Sequence, residues 1–272
     1  MPILTTGAGK FPAIGASYTG PGDINGAALG WWGLRGFSAA YSTGSNPAID
    51  VVDTATGLTT TTINILSDGT LDVATINALG YAVSVTKLYD QSGGGKHFTR
   101  ATLAQMPTLT TSGVTGLGAT RPAMSFLSQH MTASAITQSQ SFTESFVGER
   151  TSGTAYGYIF GDNAAVLLFN NAANGMAMFA GSSVPSATAN DNVFHAAQAF
   201  FSNASGAIYI DGSNSAMASM GTTGLSGTLF LYTQNGSGGL VTGKFCEVGV
   251  WAGDKTANNS AMNSNQHTYW GF

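Results

Sequence analysis

The sequence contains one cysteine, Cys246, among 272 residues. It can form no internal disulfide and build no cysteine-clustered zinc site. Charge is scarce as well: Asp, Glu, Lys and Arg together make 8% of the chain, against ~25% in typical globular proteins. The net charge of -4 includes no basic cluster, which argues against nucleic acid as a partner. Long apolar runs are also missing. The longest, residues 164–169, is far shorter than the ~20 residues that cross a bilayer, so no membrane partner is expected. Residues 1–20 have neither the basic start nor the apolar centre of a signal peptide.

In place of charge the chain has 37 glycines and abundant Ser, Thr, Asn and Ala. Such a surface does little to keep a free monomer soluble, so it is either covered by neighbouring chains or simply neutral and hydroxyl-rich. Length is not limiting. A chain of this size buries roughly three quarters of its unfolded surface and needs no metal to be stable.

Residues 1–22 are rich in Gly, Thr and Pro and have no period, which predicts an extended amino-terminal arm. Ile3, Leu4, Phe11 and Ile14 would anchor it to another chain or to the domain's own sheet edge. Residues 23–272 show no repeat and no linker, and predict one domain. Residues 26–41 predict a short helix running into a strand, residues 75–79 a short helix, and residues 255–270 a terminal helix. Strand-length Val, Ile and Thr runs occupy 48–53, 59–65 and 82–89. Pro107 and Pro122 bracket an irregular stretch before a strand at 123–126. From residue 141 onward, short apolar runs alternate with Gly, Asn, Asp or Ser turns, the spacing of an antiparallel sandwich. In the run 245–251, period-2 alternation places Phe245, Glu247 and Gly249 on one face and Cys246, Val248 and Val250 in the core.

Residues 88–101 read LYDQSGGGKHFTRA, and they combine with IYIDG (208–212) and GKFCEVGVWAG (243–253). This series resembles the catalytic domain of the fungal α-L-arabinofuranosidase B type and the wider concanavalin A-like (laminin G-like) jelly rolls. GPGDI (20–24), AAYS (39–42) and TTTTI (59–63) extend the resemblance, which covers roughly residues 24–272. It implies an all-β, antiparallel jelly-roll sandwich with an extended arm and a short carboxy-terminal helix. Asp90, Gln91, Ser92 and Gly93 form its turn motif. Asp90 reads as a turn organiser capping the N–H groups of residues 92–94.

A retaining glycosidase needs two carboxylates about 5–5.5 Å apart. The resemblance maps the family's nucleophile onto NGMAMFAG (174–181) and its acid/base onto TQNGSGG (233–239), and neither segment contains an acid. Amides and glycines cannot attack an anomeric carbon or carry a proton at neutral pH. Asp162, Asp191 and Glu247 are the conceivable substitutes, the first two more naturally read as turn residues and the third as a structural strand residue. His97, His130, His195 and His267 lack metal-ligand spacing, so no metal or cofactor is expected. Trp31 and Trp32 are candidates for core packing or for an interface or glycan contact.

The expectation is therefore a non-enzymatic virion protein of a tailed phage. The resemblance suggests it, since relatives with such turns occur among phage structural proteins. It would decorate the capsid or serve the tail, and would be made in the host cytoplasm. Its partners would be the major capsid protein or tail proteins and further copies of itself. A carbohydrate-binding module recognising a surface glycan is the first alternative, and a divergent arabinofuranosidase the second.

Overall fold

The computed structural model describes residues 18–272 except 117–118, 154–155, 171–174, 185–188, 190–191, 204, 219 and 234–237. Ile3, Leu4, Phe11, Ile14 and Asp191 lie outside the described residues. The chain opens with helix α1 (Pro21–Asn25), then strands β1 (Gly30–Gly33), β2 (Asn46–Asp53) and β3 (Thr61–Ile65). Helix α2 (Val73–Ala78) leads to β4 (Val83–Leu88), β5 (Phe98–Thr99), β6 (Thr108–Gly116), β7 (Ala119–Leu127) and β8 (Met131–Ala133). Next come β9 (Phe142–Gly153), β10 (Tyr156–Gly161), β11 (Val166–Asn170), β12 (Gly175–Phe179) and β13 (Ser183–Val184). The series closes with β14 (His195–Phe201), β15 (Gly206–Ile210), β16 (Ser213–Ala218), β17 (Leu229–Leu231), β18 (Val241–Ala252) and helix α3 (Asn259–Trp270).

Every strand pair among the described residues is antiparallel. One layer runs β16–β15–β14–β9–β18–β7–β6–β4–β2–β3, with β1 on the second half of β18. Its partner runs β5–β8–β17–β10–β11–β12–β13, and β4 hands over to β5 at Leu88↔Phe98. At the far end the Ser182 N–H donates to the Met220 carbonyl, so the sheet nearly closes on itself. This is the expected jelly-roll sandwich. Between the layers Phe126 stacks on Tyr232 at 4.3 Å, and Phe146 meets Phe169 edge-on at 6.2 Å.

Local chemistry corrects several expectations. Pro21 starts α1, with the Gly20 N–H held by Asp23 Oδ2 at 2.8 Å, so the helix falls at the end of the expected arm and not after Gly26. Asp72 caps α2 by accepting from the Thr75 N–H at 3.0 Å, which sets its start at Val73. The stretch between Pro107 and Pro122 is a hairpin of β6 and β7 and not irregular. Pro122 fits within β7 because the register shifts between Thr110 and Val114, so its missing N–H falls opposite a bulge. Asp211 and Gly212 take φ of 50° and 78° as the β15–β16 hairpin requires.

In β18 strict alternation fails in an informative way. The register against β9 shifts between Phe245 and Glu247, and this bulge turns Phe245 into the core, where it meets Phe126 and Phe146 at 6.4 Å each. Cys246, Val248 and Val250 are in the core as expected, while Glu247 and Trp251 face α3. Helix α3 buries Asn259, Met262, Gln266 and Trp270 and ends at Gly271, whose φ of 79° suits a left-handed cap.

Arg35 and Glu247 join these parts. Both side chains are 0% exposed. Arg35 Nε donates to Glu247 Oε2, its Nη2 to Oε1 at 2.8 Å and its Nη1 to Asn265 Oδ1 at 2.7 Å. Gln266 and Trp270 donate to the same carboxylate at 2.9 and 2.8 Å. Burial disfavours the guanidinium charge, but Glu247 beside it outweighs this and holds its pKa above the ordinary value. Removing one partner strands a buried charge, so Arg35→Ala or Glu247→Ala should each cost about 3–5 kcal/mol in urea unfolding. The double variant Arg35→Met/Glu247→Leu should lose less than either, because no lone charge remains. A double variant as unstable as the sum of the singles would contradict this.

Candidate functional site

The LYDQSGGG turn follows β4 and binds the body through two adjacent side chains. Asp90 Oδ1 accepts from the Trp31 N–H at 3.2 Å, from the Ser92 N–H at 3.0 Å and from the Ser92 hydroxyl at 2.6 Å. Asp90 Oδ2 accepts from the Lys96 N–H at 3.1 Å. The expected cap over residues 92–94 thus reaches Ser92 but otherwise goes to Lys96 and β1. Gln91 donates to the Gly33 carbonyl at 2.9 Å and accepts from the Phe37 N–H at 2.8 Å. Gly93 supplies φ of 90° for the turn. The Asp90 N–H donates to His97 Nδ1 at 3.0 Å, and burial together with Lys87 lowers the pKa of that imidazole, in keeping with an accepting nitrogen.

Trp31 and Trp32 are each 0% exposed, which corrects their reading as a glycan or interface contact. Trp31 packs between Phe37 and Trp251 at 5.8 Å from each, on the α3 side. Trp32 points into the sandwich against Phe98 at 4.9 Å, with its indole N–H on the Lys96 carbonyl at 2.7 Å. Successive residues of a strand face opposite sides, and here both sides are covered.

The carboxylates show the same commitment to structure. Asp162 Oδ1 accepts from the N–H groups of Ala164 and Ala165 at 2.7 and 2.8 Å, and Oδ2 from those of Ser226 and Gly227 at 2.7 and 2.8 Å. Asp211 Oδ2 lies 2.6 Å from His195 Nδ1, and its Oδ1 accepts from the Ala196 N–H at 2.9 Å. Burial alone would raise the Asp211 pKa, but the His195 hydrogen bond, the Ala196 N–H and the imidazoles of His195 and His267 bring it below the ordinary value. Asp23, Asp50, Asp53, Asp68, Asp72 and Asp254 accept from neighbouring N–H or hydroxyl groups, and Glu149 pairs with Lys244 at 3.0 Å.

Glu144 is the exception among the described acids. It lies on the inner face of β9 between Phe142 and Phe146, is 0% exposed, and neither oxygen has a hydrogen-bond partner. Burial pushes its carboxyl well above the ordinary value, and the charge of Asp162 adds to the shift. It is a fully buried acid whose charged form is disfavoured. The sequence reading missed it, as it missed Arg35. The available signal was an ionisable residue inside an apolar run, FTESFV in one case and GWWGLRGF in the other.

One cleft of about 490 Å³ opens on the outer face beside the end of the chain. Phe194 and Phe272 form its aromatic wall with centroids 6.0 Å apart, and Lys244 Nζ lies 5.5 Å from the Phe194 ring. Glu149, Thr151 and Asn192 supply polar groups. Among the described residues, no group of three His, Cys, Asp or Glu side chains could hold a metal.

The described flanks of the two segments that the resemblance assigns to catalysis lie in the second layer, with β10 and β11 between them. Asn170 and Gly175 pair with one another, Asn170 pairs with Tyr156, and the Tyr158 N–H donates to the Gly239 carbonyl at 3.0 Å. Residues 171–174 and 234–237 lie outside the described residues. The register of β10 therefore brings the flanks of both segments to one end of the second layer.

This architecture is similar to that of two solved glycosidases. One is a GH54 α-L-arabinofuranosidase soaked with a cyclic sulfate inhibitor, with a TM-score of 0.67 and 16% identity. The other is an arabinofuranosidase complexed with arabinofuranosyl-α-1,2-xylobiose, with a TM-score of 0.68 and 17% identity. Each match covers 91% of this chain and 64% of that chain, so the sequence spans less than two thirds of those proteins. No protein-family model matches the sequence, and no curated protein matches it. At such identity the likeness is one of fold.

Glu144 gives a testable pH dependence. Its folded pKa is raised, so its neutral form is compatible with folding below the unfolded carboxylate range. Stability is then lost as pH rises toward the folded pKa. Glu144→Gln removes that titration. The stability of the variant relative to wild type, measured by urea unfolding, should grow steadily from pH 4 to pH 8. A difference independent of pH would contradict the buried neutral carboxyl.

Proposed function

We propose that this chain is a non-catalytic sandwich domain serving as a structural part of a larger assembly, and in the finer reading a virion protein of a tailed phage. The observation that carries the first statement is the commitment of the carboxylates. Asp162 holds four backbone N–H groups, Glu247 neutralises a buried guanidinium, and Glu144 is shut in the core. A glycosidase needs one ionised and one protonated carboxyl facing a solvent-filled site. The segments matched to catalysis, 174–181 and 233–239, hold only amide, hydroxyl, apolar and glycine residues. The assembly reading rests on the low charge of the surface and on the sequence resemblance, with the capsid or tail proteins and further copies as partners.

The carbohydrate-binding alternative retains one specific observation, the cleft walled by Phe194 and Phe272 with Lys244, Glu149 and Asn192 beside them. Aromatic faces with a few polar groups suit a sugar ring. It replaces Trp31 and Trp32 as the place to test.

The protein should release no arabinose from an aryl arabinofuranoside, and it should co-purify with phage particles through a density gradient at a fixed copy number. Turnover abolished by Asp162→Asn or Asp191→Asn would revive the enzyme reading. Recovery only as free protein, with glycan-array binding lost in Phe194→Ala, would favour the binding module.

A further inference from the structure

A groove runs along the outside of the domain between α2 and β6. Its larger half, about 570 Å³, lies within the range of about 300–1,000 Å³ usual for small-ligand sites. Asp68, Thr70, Ser112 and Arg121 supply its polar wall, and Leu71 and Val73 its apolar one. The register of β6 against β7 shifts between Thr110 and Val114, and Ser112 of this bulge is turned to the groove.

Tyr269 sets both charges of this half. Its hydroxyl donates to the Gly69 carbonyl at 3.3 Å, in the turn that carries Asp68. Its own carbonyl accepts from Arg121 Nε at 3.1 Å, and its ring lies 4.6 Å from the guanidinium. One face and one edge of Arg121 are thus fixed, and no described residue accepts from its two Nη groups. A guanidinium held in this way presents a ready fork to a carboxylate.

Asp68 Oδ1 accepts from the Thr70 N–H at 3.0 Å and from its hydroxyl at 2.6 Å, while Oδ2 has no donor among the described residues. Burial works against the Asp68 charge, but the Thr70 hydroxyl and N–H, its own N–H and Arg121 hold its carboxyl below the ordinary value. Arg121 and Asp68 thus feel each other's charge without bonding to one another. A cation and an anion so placed beside an apolar wall complement a ligand that carries the opposite pair.

We propose that this half of the groove binds a free α-amino acid with an aliphatic side chain. The carboxylate lies on the Arg121 Nη groups, the ammonium on Asp68 Oδ2 and the side chain on Leu71 and Val73. A longer side chain extends past Asn77, which lines both halves, toward Ile76 and Leu109 in the second half of about 400 Å³. A ligand with only one of the two charges leaves a like charge of the protein unanswered, which selects against it. The inference is independent of the function proposed above.

An NMR titration of the full chain with L-leucine, 4-methylpentanoate and 3-methylbutylamine tests it, the last two keeping one charge each. L-Leucine should shift the Thr70, Asn77 and Ser112 amides and bind about tenfold more tightly than either analogue, as a charge-assisted hydrogen bond provides. Arg121→Gln should weaken L-leucine about tenfold while the amides of β9 and β18 keep their wild-type shifts. Asp68→Asn, at an exposed position, should bring 4-methylpentanoate level with L-leucine. The proposal is overturned by any of three results: no shift of those amides with L-leucine, equal affinity of wild type for L-leucine and 4-methylpentanoate, or an unchanged preference in Asp68→Asn.

Discussion

The bidentate pair of Arg35 and Glu247 is the constraint on which the outer half of this molecule depends. Two charges removed from water are tolerable only when each lone pair and each N–H is satisfied, and here Asn265, Gln266 and Trp270 complete the set. Because those residues come from α3, the helix cannot leave the sheet without breaking the hydrogen bonds that complete the pair. The chain after β1, the central strand β18 and the terminal helix are thus fixed relative to one another by a single carboxylate.

A second polar device works at the neighbouring corner. Asp90 and Gln91 use side-chain oxygens and an amide where a sheet would use backbone, holding the end of β4 against β1 and against Phe37. That leaves both adjacent tryptophans covered, one under α3 and one between the layers. A turn resembling that of an enzyme family here has a structural task. Its aspartate spends its lone pairs on four donors from the turn and the adjoining strand.

The same economy of charge runs through the fold. With 8% charged residues, nearly every described carboxylate organises a turn, caps a helix or neutralises a cation. Glu144 departs from this pattern, and its neutral form is what a low-dielectric interior demands of an unpaired acid. Shared architecture with glycosidases does not supply their chemistry, because reactivity depends on which side chains stand free at a site and not on how the strands are ordered.

The sequence by itself determined the sandwich, the terminal helix and the turn-forming part of Asp90, because each follows from local periodicity or local backbone preference. Pro21 and Asp72 also carried readable start signals for α1 and α2, although the boundaries drawn from apolar pattern missed them. Only the tertiary structure decided the rest. Phe245 turned inward because a bulge against β9 broke the alternation, and Pro122 entered a strand because a bulge opposite it removed the need for its N–H. The burial of Trp31 and Trp32, the partner of Arg35 and the isolation of Glu144 depend on residues far away along the chain. Local sequence sets which way a side chain alternates, but what lies opposite it is a property of the closed sheet.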